Sequence, residues 1–163
     1  KYLTLTKTAS SQQTLPPTIE LALNDPRLFA YGELLGVKGI ENCSKHFKTL
    51  ELFSRFDWGH YLAHKEEFIA LTPAMQKKLK MLTVCQMAMH KSLLSYLEIS
   101  EAVEIKAENP KQMVREVEAL VLDCISNSLL ECRIDQRKRQ LHILNLSASA
   151  LSGRDISSSR LTQ

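Results

Sequence analysis

The amino-acid sequence predicts a mainly α-helical fold: a helical-repeat bundle over 1–91, a winged-helix part with a small β-hairpin over 92–156, and a short tail over 157–163. Three observations predict it. Apolar residues recur at three- and four-residue steps through most of the chain, the spacing of one buried helix face. Gly and Pro number only 5 each, too few for a strand-and-turn architecture. Two-residue alternation then appears behind the last two helical segments, which is the order of a winged helix. With 163 residues, of which 44% are hydrophobic and 24% charged, the chain can bury a core without disulfides.

The elements follow in order. Residues 4–14 are rich in Ser, Thr and Gln and read as a frayed lead-in. Pro16-Pro17 suits a first helical turn, where a missing amide donor costs nothing, and Ile19, Leu21, Ala22 and Leu23 carry that helix to Asn24. Asp25 is read as an N-cap with Pro26 at the first helical position, opening a second helix over Arg27–Leu35 that Gly36 stops. Phe47, Leu50, Phe53 and Phe56 recur every third residue, with Leu52 widening the stripe. Asp57 restarts the pattern as the cap of a short helix through Glu66.

Thr72-Pro73 opens the clearest helix, in which Met75, Leu79, Leu82, Cys85 and Met89 share one face while Gln76, Lys77 and Lys80 face away. A shorter helix is expected over Ser92–Val103. Asn109-Pro110 starts another strong one, with Met113, Val117, Leu120, Val121 and Cys124 on one side. Leu130, Cys132 and Ile134 then alternate with Glu131, Arg133 and Asp135, and Leu141 and Ile143 flank His142, so a hairpin turning at 136–140 is predicted. Leu144-Asn145-Leu146 breaks the alternation and marks a bulge or a strand end.

Several function classes find no support. Cys43, Cys85, Cys124 and Cys132 form no C-x-x-C pair, which removes the zinc-knuckle and thioredoxin-like motifs and fits a reducing compartment. No apolar run has the roughly 18 to 20 residues of a membrane span, and no signal peptide opens the chain, so a cytoplasmic and nuclear location is expected. The start at Lys1 and the polar end at Gln163 are read as the ends of a trimmed piece. His60 and His64, four apart, with Glu67 nearby, are the nearest approach to a metal site, but no further ligand accompanies them, so no metal and no cofactor are expected. Cys85 and Cys124 sit on apolar helix faces and read as core thiols, not nucleophiles. Gly36 and Gly39 lack the strand and the Lys of a phosphate loop. No catalytic residue is assigned.

Four strings carry a resemblance: Tyr31-Gly32-Glu33-Leu34-Leu35; Leu71-Thr72 running through Ala74 and Lys78-Leu79 to Leu82-Thr83-Val84; Ile134-Asp135-Gln136-Arg137; and Gly153-Arg154-Asp155-Ile156. In this order they make the chain similar, from about Asp25 to Ile156, to the seventh-subunit family of the COP-nine signalosome, as a divergent member. The resemblance implies a PCI domain, the helical-repeat-plus-winged-helix module shared by the signalosome, the proteasome lid and a translation initiation factor complex. It also implies a non-catalytic scaffold whose partners are other PCI subunits, the cullin-deneddylating metalloprotease activity residing in a different subunit.

The hairpin is the candidate interface. An edge strand with free backbone donors and acceptors can pair with a strand of another chain, and Leu130, Cys132, Ile134, Leu141, Ile143 and Leu146 are the residues assigned to it; the resemblance implies the same surface. Arg137-Lys138-Arg139, at the tip of the wing, is the one dense basic cluster. It is read as a solvated turn or a protein contact, because Glu116, Glu118 and Asp123 on the preceding helix oppose phosphate. A winged-helix nucleic-acid binder is the alternative from another class.

Overall fold

A computed structural model describes residues 15–29, 31–35 and 43–147 of the chain. The expected lead-in over 4–14, the Gly36 stop and the string Gly153 to Ile156 lie outside the described residues. The elements run α1 Leu15–Asn24, α2 Gly32–Leu35, α3 Ser44–Arg55, α4 Trp58–Ala63, a 3-10 turn Lys65–Glu67, α5 Pro73–His90, β1 Leu93–Ser95, α6 Tyr96–Ala102, α7 Pro110–Ser126, β2 Leu130–Asp135 and β3 Gln140–Leu146. The fold is therefore the expected helical bundle followed by a winged-helix part.

Most helix starts are set by side-chain oxygens that accept from amides which no preceding turn can satisfy. Asp57 Oδ1 accepts from His60 N at 2.9 Å, Thr72 Oγ1 from Met75 N at 3.3 Å, and Asn109 Oδ1 from Gln112 N at 2.9 Å. Ser95 and Glu98 cap reciprocally at the start of α6. The ends are less conventional. In α6 and α7 the sixth-to-first and fifth-to-second bonds of a Schellman motif form, Ile105 N to Ser100 O with Glu104 N to Glu101 O, and Leu129 N to Cys124 O with Ser128 N to Ile125 O. The left-handed position is held not by Gly but by Glu104 (φ 55°) and Ser128 (φ 57°).

α5 is the axis of the molecule. Met75, Leu79, Leu82, Cys85 and Met89 are all buried, and the helix packs on α1, α4, α7, β1 and β3. Buried apolar side chains form one cluster from Ile19 to Leu146, so α5 serves both the helical and the winged part. Two buried threonines join elements: Thr83 Oγ1 donates to Leu79 O and accepts from Trp58 N, tying α4 to α5, and Thr49 Oγ1 accepts from Ile69 N.

Four expectations need correction. The helix over Arg27–Leu35 shrinks to Gly32–Leu35, because Asp25 closes a local turn, accepting from Arg27 N at 2.9 Å, where an N-cap was expected. Lys78 holds that turn in place. Its ammonium, buried in α5, donates to the Leu23 and Asp25 carbonyls and to Tyr31 Oη, and so ends α1 where a second helix would have begun. The helix through Glu66 stops at Ala63 and gives way to the 3-10 turn. Phe56 lies just past α3 and is 38% exposed, stacking on His60 at 4.1 Å instead of entering the core. Finally, Ser92–Val103 is not all helix: Leu93–Ser95 forms β1, and α6 begins at Tyr96.

Candidate functional site

The three strands form an antiparallel sheet in the order β1-β3-β2. β3 is therefore central. Ile143 N donates to Ser92 O at 2.7 Å and Tyr96 N to Arg139 O at 2.9 Å, so odd residues of β3 direct their backbone groups to β1. By alternation Gln140 and His142 face β2, opposite Asp135 and Arg133. A bulge follows: Ile143 pairs with Cys132 and Asn145 with Glu131, leaving Leu144 without an opposite residue. Beyond it Ser147 N donates to Leu129 O, restoring the ladder. The disruption expected at Leu144 to Leu146 is this bulge.

The candidate interface residues accordingly divide. Glu131, Arg133 and Asp135 turn their backbone groups toward β3, so those of Leu130, Cys132 and Ile134 point away from it, along an edge that no described strand covers. Their side chains turn inward, Leu130 buried and Cys132 and Ile134 half-buried. Leu141 and Ile143 lie inside the sheet with their backbone groups bonded toward β1; Leu141 and Leu146 are buried in the core and Ile143 is half-buried. The structure thus gathers Leu130, Cys132 and Ile134 on the edge and places Leu141, Ile143 and Leu146 on the strand behind it.

Helix α7 flanks that edge. An open groove of about 850 Å³ is lined by Glu118 and Leu122 of α7, Ile134 of the edge, Arg133, His142 and Leu144 of the sheet, and Arg137 and Lys138 of the turn. A smaller hollow of about 280 Å³ continues along β2 between Ile125, Leu130 and Leu146. Glu118, Leu122 and Ile125 are spaced by four and three, hence on one line of α7. Leu122 is 52% exposed, on the side of α7 away from buried Val117, Leu120, Val121 and Cys124. A leucine off the buried stripe of an otherwise regular helix is the signal that sequence reading passed over.

The charges of the groove are unequally used. Glu118 Oε1 accepts from Tyr96 Oη at 2.9 Å and from Gln136 Nε2 at 3.3 Å, and Asp135 Oδ1 accepts from Lys138 N at 3.1 Å. Burial and the Glu118 carboxylate push the Tyr96 phenol up, so it stays a donor to Glu118. Arg133, Arg137, Lys138 and Arg139 make no ion pair among the described residues. Arg139 closes the turn with φ 53°.

The other candidates lie elsewhere. His60 and His64 stack ring on ring at 4.5 Å, and no group of three or more His, Cys, Asp or Glu able to hold a metal ion occurs among the described residues. Cys85 and Cys124 are fully buried; the hydrogen bond with the Cys85 thiol, then burial, push the Cys124 thiol up, and burial raises Cys132 as well. Raised thiols are poor nucleophiles. No helix among the described residues is long and apolar enough to cross a membrane.

The family model of the PCI domain matches residues 42–145, which takes in α3 through nearly all of β3. Among curated proteins, the chain is 33% identical over 161 residues to the COP9 signalosome complex subunit 7 of Drosophila melanogaster, covering 96% of this chain and 54% of that protein. It is 28% identical over 148 residues to the subunit 7 of Dictyostelium discoideum, covering 88% and 54% respectively. With the subunit 7 of Arabidopsis thaliana it shares 32% over 143 residues, covering 83% and 53%. The chain thus spans about half the length of the curated relatives it matches.

Proposed function

From a chain that belongs to the PCI-domain family, we propose a non-catalytic scaffold subunit of a COP9 signalosome-like complex, present in cytoplasm and nucleus, that assembles with other PCI subunits through its winged-helix part. The observation that carries this reading is the β2 edge, which no described strand covers, where the backbone groups of Leu130, Cys132 and Ile134 point away from β3 in a sheet whose inner face packs on the core. A strand with free donors and acceptors on one side is completed by a strand from another chain. The relatives' names supply the identity of the complex. Within it the chain contributes geometry, and cullin deneddylation belongs to a different subunit.

The test is purification of the tagged chain from cells, with its partners identified by mass spectrometry. Recovery of the remaining signalosome subunits together is expected. Recovery of proteasome-lid or initiation-factor subunits in their place would move the chain to another PCI complex, and nucleic acid without protein partners would replace the scaffold with a winged-helix nucleic-acid binder.

A further inference from the structure

We propose that the β2 edge and the line Glu118, Leu122, Ile125 of α7 form one docking groove for an extended segment of a partner protein in which apolar and acidic residues alternate. The proposal rests on the assembly reading above and adds the chemistry of what docks. A strand laid along β2 would bond the outward amides and carbonyls of Leu130, Cys132 and Ile134. Successive side chains of such a strand point to opposite faces. One set would descend onto exposed Leu122 and half-buried Ile125, an apolar floor that no described element covers completely. The other set would rise on the face that carries Arg133, beside Arg137 and Lys138 of the turn.

The charge of that second face selects the partner. Both carboxylates of the groove already accept hydrogen bonds within the chain, Glu118 from Tyr96 and Gln136, and Asp135 from the Lys138 amide. Arg133, Arg137 and Lys138 make no ion pair among the described residues, so against Glu118 and Asp135 the groove keeps a surplus of one positive charge, and its Arg133, Arg137 and Lys138 side is complementary to Asp or Glu. A nucleic-acid backbone fits less well. Phosphate carries no donor for the outward carbonyls of the edge and gains nothing from Leu122.

The experiment uses the tagged full chain in cell extract with two variants of exposed or edge positions, each checked by circular dichroism. One is Ile134→Pro, which removes an outward amide; the other is the charge reversal Arg133→Glu, Arg137→Glu, Lys138→Glu. Three peripheral ion pairs together are worth about tenfold in binding. Partner recovery is expected to fall about that much with the charge reversal, and to fall for the parent chain when salt is raised. A zero-length carbodiimide cross-linker applied to the purified assembly should join the Lys138 amine to an Asp or Glu of the partner. If Ile134→Pro releases the partner while charge reversal and salt leave it bound, the acidic partner is wrong and the edge reading stands. If neither variant changes recovery, both fall. Purified chain that runs at twice its mass, and loses this with Ile134→Pro, would make the occupant a second copy. Steeply salt-dependent binding of duplex DNA, abolished by the charge reversal, would make it a phosphate backbone.

Discussion

The helical part, α1 to α5, and the winged part, β1 to β3 with α6 and α7, share one core yet treat polar groups in opposite ways. In the helical part Lys78 is drawn inward and fully hydrogen-bonded, although buried Ser54 Oγ and Trp58 Nε1 find no hydrogen-bond partner among the described residues. The Lys78 ammonium, only 4% exposed, is surrounded by two carbonyls and a phenol, with the Phe29 and Tyr31 rings beside it at 5.7 and 5.5 Å. In the winged part polar groups are left over at the surface: the outward amides and carbonyls of β2, and Arg133, Arg137 and Lys138. Hydrogen-bonding capacity that no described element takes up, beside an exposed Leu122, is what the proposed assembly surface rests on.

This contrast is broken most forcefully at the element both parts share. Leu82→Ala, at 1% exposure in α5, should cost about 2–5 kcal/mol, the range for a buried leucine that leaves a cavity. Urea denaturation read by circular dichroism should show one transition shifted as a whole. Separate loss of one half would disprove the shared core.

Lys78 sharpens the contrast. Lys78→Met takes the ammonium donor from the Leu23 carbonyl and from Asp25 O and Tyr31 Oη, which keep their bonds with Leu28, at about 1–3 kcal/mol near neutral pH. It should also remove a pH dependence. Burial lowers the Lys78 pKa from 10.5 to about 8, against the opposing pull of Asp25. Between these values the unfolded chain holds a proton that the folded chain has released, so stability rises with pH through that window, by at most about 1.4 kcal/mol per pH unit, and is lost again as pH falls through about 8. Cys43, Cys124, Cys132 and Tyr96, all raised on folding, act in the opposite direction at high pH. The difference between parent and Lys78→Met isolates the lysine. A difference in urea midpoint that stays constant from pH 7.5 to pH 10 would show that the ammonium is not desolvated.

How much of this was legible follows from which forces are local. Caps are written in adjacent residues, so Asp57, Thr72 and Asn109 could be read directly, as could the buried stripes of α5 and α7. The bulge at Leu144 was legible because it breaks a two-residue period. Lys78 was not, since its acceptors at Leu23, Asp25 and Tyr31 lie about fifty positions away and an isolated lysine on a helix normally faces water. β1 was equally hidden: three residues carry no usable period, and Leu93–Ser95 becomes a strand only because β3 lies beside it. With two strands alone, either strand of the hairpin could be its edge; β1 beside β3 leaves β2 as the edge strand of the hairpin.

The smallest effect concerns the ends of α6 and α7, where Glu104 and Ser128 occupy left-handed positions that favour glycine. Ser128→Gly should stabilise the fold by about 0.5–1 kcal/mol, since the strain relieved exceeds the added freedom of the unfolded chain. A lowered melting temperature would mean that the Ser128 side chain contributes more than its backbone costs.

The central claim, that β2 and not β3 is the assembly edge, is tested most directly by proline at one position of each strand. Ile134→Pro removes an amide that points out of the sheet, whereas Ile143→Pro removes the one bonded to Ser92. Each tagged variant is measured for thermal unfolding and for recovery of its partner subunits from cell extract. The account predicts that Ile134→Pro stays folded and loses the partners, with only the stability lost from the packing of a half-buried isoleucine, while Ile143→Pro, which also breaks a ladder bond, unfolds at a clearly lower temperature. Full partner recovery by a well-folded Ile134→Pro chain would contradict it and send the search for the interface to the helical repeats.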